Sequence, residues 1–412
     1  MRVASYFALS VQRICAIAGL VSIVALCACA STPPPPPPKP VTRELPPAPH
    51  QLAADLPEFL TLPNQQPKAT PVRVGVVLPF NDSSPGVRAL ASAMMKAAEL
   101  ALYDSKKADI VLMMADDDGS PAGAAASVKK LLDQGAEIII GPIFSASVAA
   151  VAPLAKDRGV PVLAFSTDRS VASPGVFLLS FQPQSEVERV IAYAQSQGHK
   201  KFAALIPQTA YGTVVERSFR EAVTAGGGTV ADVEHFSPSV GALADPVKAV
   251  AATGSDALFI PQGGSLLRGI VPTLAYAGVD NTKVKYLGTG LWDDDTNLRE
   301  TLLSGGWFAA PQPSSDAAFD AEYKQTFGAE PPQLASLSYD AVQLIALLST
   351  GKPYHRFTFG ALTDPNGFAG VNGIFRFRDD GTIERGLAVL QVDPAGFTVV
   401  SPAPTTFQHQ GS

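Results

Sequence analysis

The sequence predicts an α/β protein made of two doubly wound, mostly parallel sheets in tandem. Three observations carry this. Continuous apolar β-type runs such as "VRVGVVLPF", Val72–Phe80, suit strands covered on both faces. Amphipathic helical stretches separate those runs, as βαβ units require. The alternation then starts afresh after "VFLLSF", giving a second set of similar size.

Each element has a local reason. "SSPGVRALASAMMKAAELAL" places Ser84 at an N-cap and Pro85 at the first helical position, with Leu90, Met94 and Ala98 at helical spacing. "DIVLMMADD" is followed by "SPAGAAASVKKLLDQG", again opened by Ser-Pro and stopped by Gly135. "EIIIG" leads to a helix over Ser145–Arg158, then "VPVLAF". In the second set "SEVERVIAYAQSQG" carries a capping box, Ser185 with Glu188. "KFAALIP", "TVADVEHF", "ALFIPQ", "VKYLGTG" and "GWFAAP" read as strands. Helices near Thr213–Thr224, Ala242–Ala252 and Ser265–Ala277 lie between them. Two further helices, "DAAFDAEYKQTFG" and "LASLSYDAVQLIALLS", precede a hairpin turning at Asp380-Gly381.

The 412 residues are long for one domain. A net charge of −6 argues against a nucleic-acid surface, which needs basic patches to displace counterions. All three cysteines, Cys15, Cys27 and Cys29, fall in the first thirty residues, so the expected body has no disulfide, zinc thiolate or thiol nucleophile. The five histidines, His50, His199, His235, His355 and His409, are scattered without metal-ligand spacing. "ADDDGS", Ala115–Ser120, lacks the rest of a calcium loop. There is no P-loop, no G-x-S-x-G and no nucleophile-base constellation, so neither a catalytic residue, a metal site nor a cofactor is expected.

At the front, Arg2 and Arg13 precede the apolar run "ICAIAGLVSIVALCA", short for a membrane span and shaped like a secretory signal core. It ends in "LCAC", Leu26–Cys29, which looks like the lipobox of bacterial lipoproteins. That resemblance implies a signal over residues 1–28 and lipidation of Cys29. An ordinary signal with chance cysteines, or an uncleaved anchor, are the alternatives. Residues 29–71 are proline-rich, with six consecutive prolines at Pro33–Pro38, and read as an extended disordered tether. A spacer is the plain reading, a Pro-rich ligand for a partner the other.

From Val72 to Val400 the sequence resembles the type I periplasmic-binding-protein family, in its branched-chain amino-acid-binding branch. The carriers are "RVGVVLPF", "GAEIIIGPIFSASVAAVAPLAKDRGVPVLAFST", "YGTVVERSFREAVTAGGGTV", "LSYDAVQLIALL" and "FAGVNGIFRF", in the family's order. The resemblance implies a two-lobed body whose chain crosses between lobes three times. Lobe 1 is expected over 72–182 and 312–362, lobe 2 over 183–311 and 363–402, and a flexible tail over 403–412. Within the superfamily, the lipobox, the tether and "LAFSTDRSVASPGVFLLSF" resemble the penicillin-binding-protein activator lipoproteins.

The resemblance places a ligand cleft beyond the carboxyl ends of the strands. Its candidate lining is Phe80, Ser145, Ser166, Thr167, Asp168, Tyr211, Gln262 and Ser265. Ser145 is either a ligand-carboxylate contact at a helix start or, like Ser147, a cap of its own helix. Asp168 stands where the family has a neutral threonine, and Arg169 is the cation that could offset it. Near Gly290 the family has an acid for the ligand ammonium, which this sequence lacks locally; Asp293–Asp295 could reach back. The sequence thus suggests an eroded amino-acid clamp. The main expectation is a lipid-anchored protein of the periplasmic face, on the outer membrane, that contacts a peptidoglycan synthase. Its cleft is left empty or takes an amino-acid-like solute or a cell-wall fragment. The alternative is a non-enzymatic receptor delivering branched-chain amino acids or related amides to an ABC permease.

Overall fold

The computed structural model describes residues 59–62, 71–107, 109–237 and 243–407, all within the compact unit His50–Ser412. The signal-like run, Cys29 and most of the proline-rich stretch lie outside the described residues. Among the described residues no helix is long and apolar enough to cross a membrane.

The first sheet holds β1 (Phe59–Thr61), β2 (Val72–Leu78), β3 (Ile110–Asp116), β4 (Ile138–Ile140), β5 (Val162–Ala164) and β6 (Val176–Leu178). Their order is β1-β3-β2-β4-β5-β6, parallel except for β1. Helices α1 (Pro85–Ser105), α2 (Pro121–Asp133) and α3 (Ser145–Asp157) connect its strands. The period of two is visible in β2. Val74, Val76 and Leu78 enter one core while Val77 enters the core on the opposite face. Leu90 packs at the edge of the first of these cores, with Met94 and Ala98 fully inside it. Gly75 has a packing reason, since a Cβ there would lie 2.7 Å from Ile139 Cδ1.

The second sheet contains β7 (Lys201–Pro207), β8 (Thr229–Phe236), β9 (Ala257–Phe259), β10 (Lys285–Gly288) and β11 (Trp307–Ala310), all parallel. Helix α4 (Pro183–Ser196) enters it, and α5 (Ala210–Ala225), α6 (Ala244–Ala251) and α7 (Gly264–Tyr276) cover its faces. The chain then returns. Helix α8 (Ala317–Phe327) packs beside α1, and α9 (Ala335–Leu348) lies along α1 in the first core.

After α10 (Phe359–Leu362) comes a small antiparallel sheet, β12 (Phe368–Gly370), β13 (Gly373–Phe377) and β14 (Ile383–Arg385). Strands β15 (Ala388–Asp393) and β16 (Gly396–Ser401) then extend the second sheet antiparallel beyond β11. The hairpin loop between β13 and β14 holds Gly381 at φ +83°, in line with the turn expected at Asp380-Gly381.

Several expectations are corrected. Order does not wait for Val72. Phe59–Thr61 pairs antiparallel with Val111–Met113, and Leu62 is buried in the first core, because "FLTL" offers an alternating apolar edge that proline counting hides. The lobe change expected near Thr363 comes later. Leu362, Phe368, Phe375, Phe377 and Ile383 all fill the first core, and second-sheet packing resumes at Leu387. The tail is packed as far as Phe407, whose ring lies 4.6 Å from the Arg376 guanidinium, while Ala403 N–H donates to Gln312 Oε1 at 3.1 Å. The Ser185–Glu188 capping box does not form. Helix α4 begins two residues before Ser185, with Gln182 at its N-cap, so Glu188 is free to pair with Arg169 and Arg378.

Candidate functional site

The carboxyl ends of the parallel strands of both sheets meet across a cleft. Two contiguous cavities occupy it, sharing Pro183 and Tyr211. The outer one, about 580 Å³, is lined on one side by Thr167, Asp168, Arg169 and Ser170 and on the other by Tyr211 and the first turns of α5. The inner one, about 440 Å³, lies beside the chain crossings and is lined by Phe181, Glu186, Gly290, Asp293, Asp316 and Arg385 among others.

On the first-sheet side, α3 starts at Ser145 directly after β4, with Phe144 at its N-cap, so Ser145 is the first helical residue and not the cap. Its hydroxyl lies near enough to Asp168 to help lower the pKa of that carboxyl. Asp168 Oδ1 accepts from Ser170 Oγ at 2.7 Å and from Ser170 N at 3.0 Å, and these hydroxyl and amide donors, with Ser145, hold the carboxyl below its usual range. Ser166 is 4% exposed and its Oγ accepts the Asp168 N–H at 3.1 Å. Arg169 does not neutralise Asp168, contrary to the expectation. Its Nε donates to Gln182 Oε1 at 2.7 Å and its Nη1 pairs with Glu188 at 3.4 Å.

On the second-sheet side, Thr209 ends the turn after β7 and caps α5, its Oγ1 accepting from Gly212 N at 3.0 Å. Gly212 lets the helix start close to the strand, since a Cβ there would fall 1.8 Å from the Pro207 carbonyl oxygen. This seats Tyr211 in the cleft, its hydroxyl 2.8 Å from Thr289 Oγ1, and burial pushes the phenol up.

The end of β10 is where the acid appeared to be missing. A carboxyl does reach that point from elsewhere in the chain: Glu186, in the first turn of α4, accepts the Gly290 N–H on Oε2 at 2.9 Å. Burial pushes Glu186 up to about 7, the Gly290 amide opposes this, and the charge of Asp293 adds to it. Asp293 does turn toward the cleft and lines the same cavity, its carboxyl raised by burial and by Asp295 and Asp316.

Arg385, the last residue of β14, is 6% exposed. Its Nε donates to the Ser180 carbonyl at 3.0 Å, and the guanidinium carbon lies 4.5 Å from the Phe181 ring centre. Nη1 and Nη2 have no hydrogen-bond partner. Burial lowers the guanidinium to about 10, against the pull of the buried Asp340.

Of the eight candidate lining residues, the structure brings Thr167, Asp168 and Tyr211 to one cavity, with Ser145 and Ser166 directly behind Asp168. Phe80 is corrected: at 2% exposure it is a first-core residue under α1, because the chain turns at Pro79 and folds the ring inward. Gln262 folds its amide onto the Gly263 carbonyl at 3.1 Å, and Ser265 is exposed on α7; neither lines either cavity. Glu186, Asp316 and Arg385 were not foreseen. Glu186 and Arg385 come from distant parts of the chain, and the only local signal was an acid in the turn after Pro183. Among the described residues no group of three or more His, Cys, Asp or Glu could hold a metal ion.

The chain matches the profile of the "Periplasmic binding protein" family over residues 71–397. It is 22% identical to "Leu/Ile/Val-binding protein homolog 3" of Brucella melitensis, over 66% of this chain and 77% of that protein. Among solved structures it resembles a protein of Rhodospirillum rubrum assigned to branched-chain amino acid ABC transport. There the TM-score is 0.71 and the identity 20%, covering 80% of this chain and all of that one. It also resembles an ABC transporter substrate-binding protein of Desulfitobacterium hafniense in complex with Leu, at TM-score 0.59 and 20% identity, covering 80% and 99%. These likenesses agree with the α/β, two-sheet architecture and with the cleft. The chain belongs to the periplasmic binding protein family.

Proposed function

We propose that the protein is the solute receptor of an ABC importer, taking a small amino-acid-like solute in the cleft between its lobes. One observation carries this reading: Glu186 restores an acid at Gly290, facing Tyr211 across a cavity of about 440 Å³. An ammonium group placed there meets a fixed carboxylate in a partly dehydrated setting, where such a pair is stronger than in water. On this reading the clamp is rearranged, not eroded. That removes the argument which ranked contact with a peptidoglycan synthase above transport, and the ABC-transporter names of two structural neighbours support transport. The lipobox-like "LCAC" supports anchoring through Cys29 at the periplasmic face.

Titration calorimetry of the full chain against the common L-amino acids tests the proposal. At least one is expected to bind more tightly than about 10 μM, near −7 kcal/mol. Glu186→Gln is expected to weaken that binding at least tenfold at pH 8. Absence of heat across the whole panel would overturn the reading.

A further inference from the structure

The two cavities of the cleft differ in charge. The outer one carries Asp168 and Glu221 against Arg169 and Arg217, so its signs balance. The inner one carries Glu186, Asp293 and Asp316, and among the described residues Arg385 is the only base along its wall. That guanidinium is sealed from the cavity. Its Nη1 and Nη2 are enclosed, with the ring centres of Phe181 and Phe375 lying 4.5 Å and 5.5 Å from the guanidinium carbon. Its charge acts instead on the buried Asp340.

The three acids, by contrast, are within reach of a solute. Asp293 is exposed, and Glu186 and Asp316 each keep part of their surface. The charges that bear on Glu186 and Asp293 come from other acids, Asp293 on the first and Asp295 with Asp316 on the second. Like charges gathered in a partly dehydrated space repel one another unless a cation lies among them. The same wall is otherwise largely apolar, with Phe181, Leu291, Pro311 and Leu387, which suits a methylene chain. Gln184, two residues before Glu186, lines the outer cavity at 7% exposure, and no donor meets its Oε1. Buried acceptors are nearly always paired, so a donor is missing on that side too.

We infer that the cleft selects a solute with two cationic nitrogens joined by an aliphatic chain, one nitrogen held by Glu186 and the other by Asp293 and Asp316. The inference rests on the solute-receptor reading and names the class of solute within it. A branched-chain amino acid would satisfy Glu186 and leave the other two acids facing alkyl carbon. Basic L-amino acids and aliphatic diamines share the required chemistry and differ by one carboxylate.

Calorimetry on the full chain compares L-lysine, L-ornithine, cadaverine, L-leucine and the L-lysine analogue with a hydroxyl in place of the side-chain ammonium. The best dication is expected to bind on the order of 100-fold more tightly than either L-leucine or the hydroxyl analogue. Asp293→Asn combined with Asp316→Asn is expected to cut that preference below about 5-fold and to leave the affinity for the hydroxyl analogue within about 3-fold of the wild type. Melting curves identify a variant that fails to fold, and the two single replacements, each expected to lose part of the preference, then carry the test. L-lysine or L-ornithine above cadaverine assigns a basic amino acid, and the reverse order a diamine. L-leucine or the hydroxyl analogue binding as tightly as every dication overturns this inference alone, as does a preference unchanged in the folded variants. A wild type that binds no member of the panel overturns the receptor reading, and the inference with it.

Discussion

Glu186→Gln removes one charge from the cleft while keeping the side-chain shape and an oxygen for the Gly290 N–H. The carboxyl ionises near 7 in the folded protein, against 4.5 as its ordinary value. A folded state that holds its proton longer than the unfolded chain loses stability as pH rises through that interval, and the loss is complete above about pH 7. At 1.36 kcal/mol per pH unit the full difference is about 3 kcal/mol, an upper value because the side chain keeps some exposure. Gln carries no such dependence. The variant should therefore match the wild type near pH 4, gain on it between pH 4.5 and 7, and exceed it at pH 8 by up to about 3 kcal/mol. For a body of this size that is on the order of 5 °C in melting temperature. Urea unfolding at closely spaced pH values, without solute, measures it. A stability gap that stays flat from pH 4 to pH 8 would refute the placement of an ionisable, dehydrated acid at the end of β10.

Other perturbations follow from single contacts. Gly212→Ala should destabilise by about 3 kcal/mol, since its Cβ would sit 1.8 Å from backbone oxygen, and the displaced α5 should carry Tyr211 out of the cleft; urea melts and solute titration read the two effects. Tyr211→Phe should lose about 1 kcal/mol by leaving the fully buried Thr289 hydroxyl short of its partner, measurable by chemical unfolding. Glu137 and Arg356 form a buried pair at 3.4 Å, with side chains 2% and 6% exposed, and Glu137 also accepts the Tyr354 N–H at 2.7 Å. Glu137→Ala should cost about 3–5 kcal/mol, and the double replacement with Arg356→Ala less than the sum of the two single changes in a thermodynamic cycle.

What was legible in the sequence was what local periodicity writes. The run Val72–Leu78 and the Leu90, Met94, Ala98 spacing announce a doubly covered strand and its helix, because each residue's burial follows from its neighbours' positions. The Asp380-Gly381 turn was legible for the same reason. The site was legible only where a strand end supplies it directly, as at Thr167, Asp168 and Tyr211. Glu186 reaches Gly290 across 104 positions and Arg385 reaches Ser180 across 205, and no spacing rule connects such pairs. Phe80 misled because a strand-end aromatic looks the same in sequence whether its ring turns outward or inward. "FLTL" was hidden by the prolines around it, although a short edge strand needs only three pairings to dock.

The chain passes between its sheets at three places, and two of them lie side by side. The end of β6 and the residues after it are tied to the β13–β14 hairpin by Leu178 N–H to the Gly381 carbonyl at 2.9 Å and by Arg385 Nε to the Ser180 carbonyl at 3.0 Å. Any swing of one half against the other pivots there, and a point next to a fulcrum travels least. Groups beside that tie would keep their places through such a stroke, while the cleft walls carrying Asp168 and Tyr211 would part and meet.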